Sequence, residues 1–217
     1  MVKYIVVIGA VILALSIRGF FISMYNVPTN SMAPRLMTGD YVLSSQLSYK
    51  FKIPLIDSDF DLVPKTNSFV VYVKSSKVFI RRVLAGPGDT FELQDGILNV
   101  NSLDCKYGDS LQIATENPQV FLKDQTETCG VVSRRIWQAD SAAAGPDNWP
   151  VTRLAEGQFL VGSDNRTREN NQQVIDVIRF DQIIGKPVLI WMSYSSTQDF
   201  ISGTKGVRWN RILTKLN

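Results

Sequence analysis

The chain has 217 residues, a length that fits one domain or one and a half, and 45% of them are hydrophobic against 20% charged, the balance of a globular protein with a packed core. A formal net charge of +3 is too small and too spread out to argue for a nucleic-acid partner. Histidine is absent, which excludes a Ser-His-Asp triad, a Cys-His pair and almost every catalytic zinc site, so any serine chemistry here needs another base.

Residues 4–23 read YIVVIGAVILALSIRGFFIS. About 20 residues at ~1.5 Å each cross the roughly 30 Å hydrocarbon core of a bilayer as a helix. Arg18 is the only charge in the run, near one end, where it can snorkel to the interface beside Phe20 and Phe21. The expectation is a retained membrane anchor over residues 1–24, with Lys3 on the cytoplasmic side and the rest of the chain outside. A cleaved signal peptide, starting at basic Lys3 with Ala14-Leu15-Ser16 as its small-x-small site, is the rival reading. A buried core helix is a third.

Beyond Ser23 the pattern changes from continuous to alternating. Residues 68–73 (SFVVYV) and 78–85 (VFIRRVLA) are rich in β-branched and aromatic side chains and are expected as strands. TFEL and ILNV flank Gln94-Asp95-Gly96, a hairpin signal. QFLVG (residues 158–162) and PVLIWMSY (residues 187–194) are expected as further core strands. The fold class is mainly β with one N-terminal helix. Residues 25–102 and 157–217 form the expected β-core. Residues 103–156 are more polar, carry both cysteines, and are expected as an inserted subdomain.

Cys105 and Cys129 are too few for a thiolate metal cage. In an exported domain they can close a loop of roughly 25 residues by a disulfide that contributes about 3 kcal/mol on the chain-entropy model. Two unpaired thiols are the alternative. The tail KGVRWNRILTKLN mixes cations with Val207, Trp209, Ile212 and Leu213.

Three polar stretches interrupt this pattern. YNVPTNSMAPRLMTGDYV (residues 25–42) holds Ser31. Pro28 and Pro34 push Val27 and Ala33 to extended conformations, and Thr29 and Asn30 favour turns, so Ser31 sits on a stiff, irregular segment. Local physics leaves two readings, a placed nucleophile and a serine in a tight turn. FIRRVLAGPGD (residues 79–89) puts Arg81 and Arg82 on opposite faces of a strand, one expected inward and one outward. GSDNRTRENNQQ (residues 162–173) is a polar loop delivered by a strand, with an Asp164–Arg166 contact as its plain reading.

Together these stretches resemble bacterial signal peptidase I, the membrane-bound serine endopeptidase of the Ser-Lys dyad class. The likeness rests on the order anchor, P-T-x-S-M-x-P-x-L-x-x-G-D (Pro28 to Asp40), R-V-x-x-x-P-G-D (Arg82 to Asp89) and D-N-R (Asp164 to Arg166). PGDTFELQDGILNVN and GVRWNRI add to it. The resemblance implies that Ser31 is the nucleophile, and that its own N–H and the Thr29 hydroxyl form the oxyanion hole. It implies that Pro28 and Met32 lie beside a substrate pocket that accepts small side chains, hence Ala-x-Ala sites. Substrates would be exported preproteins bound as an added strand. The enzyme would sit single-pass in the cytoplasmic membrane, against the lipid bilayer, with its main domain extracytoplasmic. No cofactor and no metal are implied.

The chain departs from the family pattern at the base. Arg81 stands where the family has its general-base lysine. Burial can neutralise a lysine, whereas a guanidinium stays protonated. Lys77 is four residues back, roughly 13 Å along an extended strand. Asn30 replaces a glycine, and Thr66-Asn67-Ser68 stands where the family has R-G-D. In the last box Glu169 falls where the family has the serine that contacts the lysine, while Asn171 and Gln173 replace a paired Asp and Arg. Arg81 and Glu169 are therefore expected to form an ion pair beside Ser31, with Glu169 as the base in a bolder version. The alternative to an active peptidase is a catalytically impaired homologue that binds exported chains or assists surface-structure assembly without cutting.

Overall fold

Alternating apolar and polar residues, with turn residues between them, build a mainly β protein. The computed structural model describes residues 3, 4, 7, 9, 22–46, 48–49, 51–52, 59–60, 63–94, 97–114, 121–139, 148–167, 174–195 and 206–216. Among these residues, sixteen strands run in chain order: β1 (Ile22–Asn26), β2 (Asp40–Ser45), β3 (Phe51–Lys52), β4 (Asp59–Phe60), β5 (Phe69–Lys74), β6 (Lys77–Ala85), β7 (Thr90–Gln94), β8 (Ile97–Val100), β9 (Leu103–Asp104), β10 (Lys106–Ala114), β11 (Phe121–Cys129), β12 (Val132–Ala139), β13 (Trp149–Arg153), β14 (Gln158–Gly162), β15 (Ile175–Arg179) and β16 (Ile183–Ser193). A seven-stranded sheet has the order β1-β2-β16-β5-β6-β14-β15. A second sheet runs β13-β7-β8-β9, a third β10-β11-β12, and β3 pairs with β4.

The strands expected at residues 68–73, 78–85 and 158–162 are β5, β6 and β14. The expected hairpin is β7–β8, with Gln94 opposite Ile97, and its Asp95-Gly96 tip lies outside the described residues. The strand expected from Pro187 begins earlier, at Ile183. It pairs with β5 at Ile183 and Gly185, then with β2 from Lys186 onward. Pro187 thus sits next to a register shift, where the strand changes partners and a missing N–H is tolerated.

The expected anchor needs a correction at its end. Ile22, Ser23 and Met24 belong to β1 and pair with Ser45, Ser44 and Leu43 of β2. Ile22 and Met24 are apolar yet exposed on an edge strand, which is why they read as a continuation of the greasy run. Most of residues 4–23 lies outside the described residues. No helix among the described residues is long and apolar enough to cross a membrane.

Within residues 103–156, β10, β11 and β12 form their own sheet, whereas β9 pairs with β8 and β13 with β7. Cys105 and Cys129 are joined by a disulfide that ties the start of this region to the end of β11. Among the described residues, three apolar clusters fill the interior. The one under the Ser31 segment contains Val27, Met32, Leu36, Val42, Phe69 and Ile190. Full burial of such side chains contributes roughly 1.5–3 kcal/mol each.

Candidate active site

Residues 27–40 form a loop closed at its base by two main-chain bonds, Val27 N–H to Asp40 O at 2.8 Å and Gly39 N–H to Val27 O at 3.0 Å. Inside it, Asn30–Met32 make one 3-10 turn, because Ala33 N–H returns to Asn30 O at 3.0 Å. The Asn30 carboxamide oxygen accepts from both the N–H and the hydroxyl of Thr38, each at 3.0 Å. Met32 plugs the turn into the core below. Ser31 is thereby held at the top of a braced turn, half-buried, with its side chain facing β6.

The Ser31 hydroxyl oxygen accepts two hydrogen bonds, from Thr29 Oγ1 at 3.1 Å and from Arg81 Nη1 at 2.9 Å. Of the residues picked out from the sequence, Ser31, Thr29 and Arg81 therefore meet at one point. Pro28 and Met32 line the adjoining cleft of about 200 Å³, which runs between residues 25–32 and residues 78–81. Glu169, and with it the expected pairing to Arg81, lies outside the described residues. So do Asn171 and Gln173.

Arg81 and Arg82 do occupy opposite faces of β6, but the expectation that one faces solvent is overturned: they are only 7% and 6% exposed. The Ser31 turn covers one, and the loop after β14 covers the other. Arg82 donates through Nε and Nη2 to the two Asp164 oxygens at 2.7 and 2.6 Å and lies over the Phe69 ring at 4.0 Å. Its remaining terminal nitrogen reaches Asn67 O at 2.8 Å. The sequence-stretch reading of an Asp164–Arg166 contact fails for the same reason: Asp164 is taken by Arg82, and Arg166 donates instead to Glu127 at 3.0 Å.

Sequence reasoning missed two supports of the site. Asn165 donates its main-chain N–H to Ser31 O at 3.0 Å and its carboxamide to Asn30 O at 3.2 Å. It is the middle residue of the D-N-R tripeptide, which was the available signal. Glu127 is fully buried and accepts from Arg134 at 2.6 Å as well as from Arg166. Nothing in its sequence neighbourhood distinguishes it. The main chain of β12 also engages the same loop, with Trp137 N–H to Asp164 O at 2.9 Å and Arg166 N–H to Trp137 O at 2.6 Å.

The electrostatics limit the chemistry. Burial pushes the Arg81 guanidinium down from its ordinary value, opposed by Tyr72, Asp176 and Asp164. A guanidinium nonetheless stays protonated in proteins. Burial raises the Tyr72 phenol to about 12, so it keeps its proton too. Lys77 is exposed at the tip of the β5–β6 hairpin opposite Lys74. Lys74 holds Asp176, with its ammonium 2.7 Å from each carboxylate oxygen. Among the described residues no amine or carboxylate is hydrogen-bonded to the Ser31 hydroxyl. The cluster of Cys105, Glu127 and Cys129 has metal-ligand spacing. Its thiols are consumed by the disulfide and its carboxylate by two arginines.

The comparisons agree with this geometry. The family model described as "Signal peptidase, peptidase S26" matches residues 1–192. The chain is 27% identical over 200 residues to "Signal peptidase I" of Pseudomonas fluorescens, covering 84% of this chain and 69% of that one. It is 26% identical over 214 residues to "Signal peptidase I" of Rickettsia typhi, covering 85% and 77%. It is 28% identical over 178 residues to "Probable signal peptidase I-1" of a Synechocystis species, covering 81% and 74%. With the serine turn, the buried arginine beside it and the D-N-R loop behind it all in the matched span, the chain belongs to the signal peptidase family, peptidase S26.

Proposed function

We propose that this chain is a signal peptidase I-type serine endopeptidase that takes exported preproteins as substrates. Ser31 is the nucleophile, Thr29 and the Ser31 N–H supply the oxyanion hole, and the cleft beside Pro28 and Met32 takes the small side chain before the cut. The apolar run that precedes β1 anchors the chain single-pass in the cytoplasmic membrane, where the substrate's own apolar segment is embedded. The observation that carries this reading is the Ser31 oxygen, 2.9 Å from Arg81 at the end of the cleft between residues 25–32 and β6. An extended peptide laid there can add its main chain to the flanking backbone.

A second reading has its own observation. Attack by Ser31 requires a group to take its proton, and the nearest side chain is a guanidinium that donates to it. On this reading the chain binds exported peptides without cutting them. The test uses the full chain in detergent with a preprotein bearing an Ala-x-Ala site. Cleavage by wild type that is lost in Ser31→Ala supports the peptidase. No cleavage by wild type, with cleavage by Arg81→Lys, supports the binding protein, because a buried lysine can become neutral and accept the proton.

A further inference from the structure

We infer that Cys105 and Cys129 are a redox-active pair that exchanges with external thiols, and that the state of the pair is felt at the Ser31 turn. The inference does not depend on whether the chain cuts. The first argument is access. Cys129 ends β11 opposite Val132, the first residue of β12, across a tight turn whose Gly130 and Val131 are exposed. Cys129 is thus half-buried at the tip of a hairpin, where a thiol can reach it, whereas Cys105 is only 3% exposed.

The second argument is charge. Arg134 donates through Nε to Glu127 at 2.6 Å and through Nη2 to the Cys129 sulfur at 3.3 Å. Glu127 is shared with Arg166, and all three side chains are buried. Asp164 also attracts Arg134, but both of its oxygens are held by Arg82. Among the described residues, Arg82, Arg134 and Arg166 thus share two carboxylates, and the surplus positive charge sits beside the Cys129 sulfur. A disulfide is neutral and leaves that charge unmatched. A Cys129 thiolate matches it. The surroundings therefore favour the reduced pair, which makes this disulfide easier to open than a structural one.

The partner this chemistry takes is a dithiol. One of its thiolates attacks the half-buried Cys129 sulfur, and Cys105 leaves and takes a proton. The second dithiol sulfur then closes on the first, and Cys129 leaves as the thiolate beside Arg134. Two electrons pass to the cysteines, and the dithiol becomes a disulfide. The third argument is the connection to Ser31. Once Cys129 is an anion, Arg134 divides its hold between it and Glu127. Glu127 also fixes Arg166, and the neighbouring Asn165 donates its N–H to Ser31 O at 3.0 Å. Opening the pair loosens that chain of contacts from its far end.

The test equilibrates the full chain in detergent at pH 7 with glutathione buffers of graded ratio, two glutathiones standing in for the dithiol. Acid quenching, alkylation and mass spectrometry then count the open pairs. Wild type is expected to open in buffers that leave a structural disulfide closed. A pair that stays closed at every ratio in the native protein overturns the inference. In Arg134→Gln the equilibrium constant for opening is expected to fall about tenfold, the effect of losing a hydrogen bond to a charged group. In Glu127→Gln it is expected to rise, because the surplus positive charge grows. General loosening of the fold would move both variants the same way, so a shift of one sign in the two overturns the charge argument. Amide hydrogen exchange at Asn165, compared between oxidised and reduced wild type, reads the connection to Ser31. Exchange is expected to quicken severalfold on reduction, and an unchanged rate overturns the connection. The glutathione and exchange measurements on wild type need no variant, so one that fails to fold does not block them.

Discussion

At the scale of single residues, the site is governed by how two neighbouring arginines are satisfied. Arg82 is a structural cation, because its bidentate partner Asp164 is buried with it. Asp164→Asn leaves Arg82 buried without its counter-charge and is expected to destabilise by about 3–5 kcal/mol, read from denaturant midpoints. Arg82→Lys is expected to be nearly as harmful, since an ammonium cannot reproduce the two-pronged contact or the stacking on Phe69. Arg81 acts on Ser31 instead. Its position was legible in the sequence as a departure from a lysine. Its direct bond to the serine oxygen was not, since residues 50 apart in the chain meet only when β6 passes beside the turn.

At the scale of elements, the 27–40 loop behaves as a rigid holder. Gly39 has φ +86°, and a Cβ there would lie 2.3 Å from Tyr194 O. Gly39→Ala therefore combines backbone strain with a clash against main chain and is expected to cost at least about 1–3 kcal/mol, measured by thermal or chemical unfolding. Next to it, Asp40 is fully buried and accepts from Arg211 at 2.6 Å and from the Ser193 hydroxyl at 2.6 Å, with Arg208 at 3.2 Å. The basic C-terminal tail is thus spent on closing the loop that carries Ser31. The disulfide works on another element. Replacing Cys105 and Cys129 together by serine is expected to remove about 3 kcal/mol by the chain-entropy argument, seen as a lower unfolding midpoint that reductant no longer shifts.

At the scale of the whole molecule, Glu127 joins two parts of the chain. It lies on β11, yet its arginine partners are Arg134 on β12 and Arg166 in the loop whose Asn165 holds Ser31. Burial alone would raise its carboxyl, but Arg166 and Arg134 outweigh burial and bring it below the ordinary 4.5. A carboxylate depressed on folding contributes stability that is fully present above its unfolded value and is lost as pH falls through its folded one. Stability is therefore expected to drop on acidification below about pH 4.5. Glu127→Gln should be less stable at pH 7 and show a flatter acid slope, tested by denaturant titrations from pH 7 to pH 3. If the β10–β12 sheet braces the site through this residue, the same variant also loosens the Asn165 contact to Ser31.

Much of the architecture was legible without coordinates, because side-chain alternation and turn residues are local. The period-two runs marked β5, β6 and β14, and Gln94-Asp95-Gly96 marked a hairpin. Local pattern failed where burial is set by distant partners. β1 read as the end of an apolar run, because an edge strand that leaves Ile22 and Met24 exposed looks the same as a membrane segment in one dimension. One of Arg81 and Arg82 read as solvent-facing, because the loop after β14 that supplies the Arg82 counter-charge is distant in the chain. The amino-acid sequence by itself determined the chemistry on offer: a serine on a stiff turn, no histidine, an arginine in place of an amine, and two cysteines. Tertiary structure alone decided how those groups are wired. It brings Thr29 and Arg81 onto the Ser31 oxygen as donors, and links the β10–β12 sheet to that turn through Glu127, Arg166 and Asn165. The physical reason is that hydrogen bonds and ion pairs act over a few ångströms of space, while partners such as Arg81 and Ser31, or Asn165 and Asn30, stand 50 and 135 positions apart in the chain.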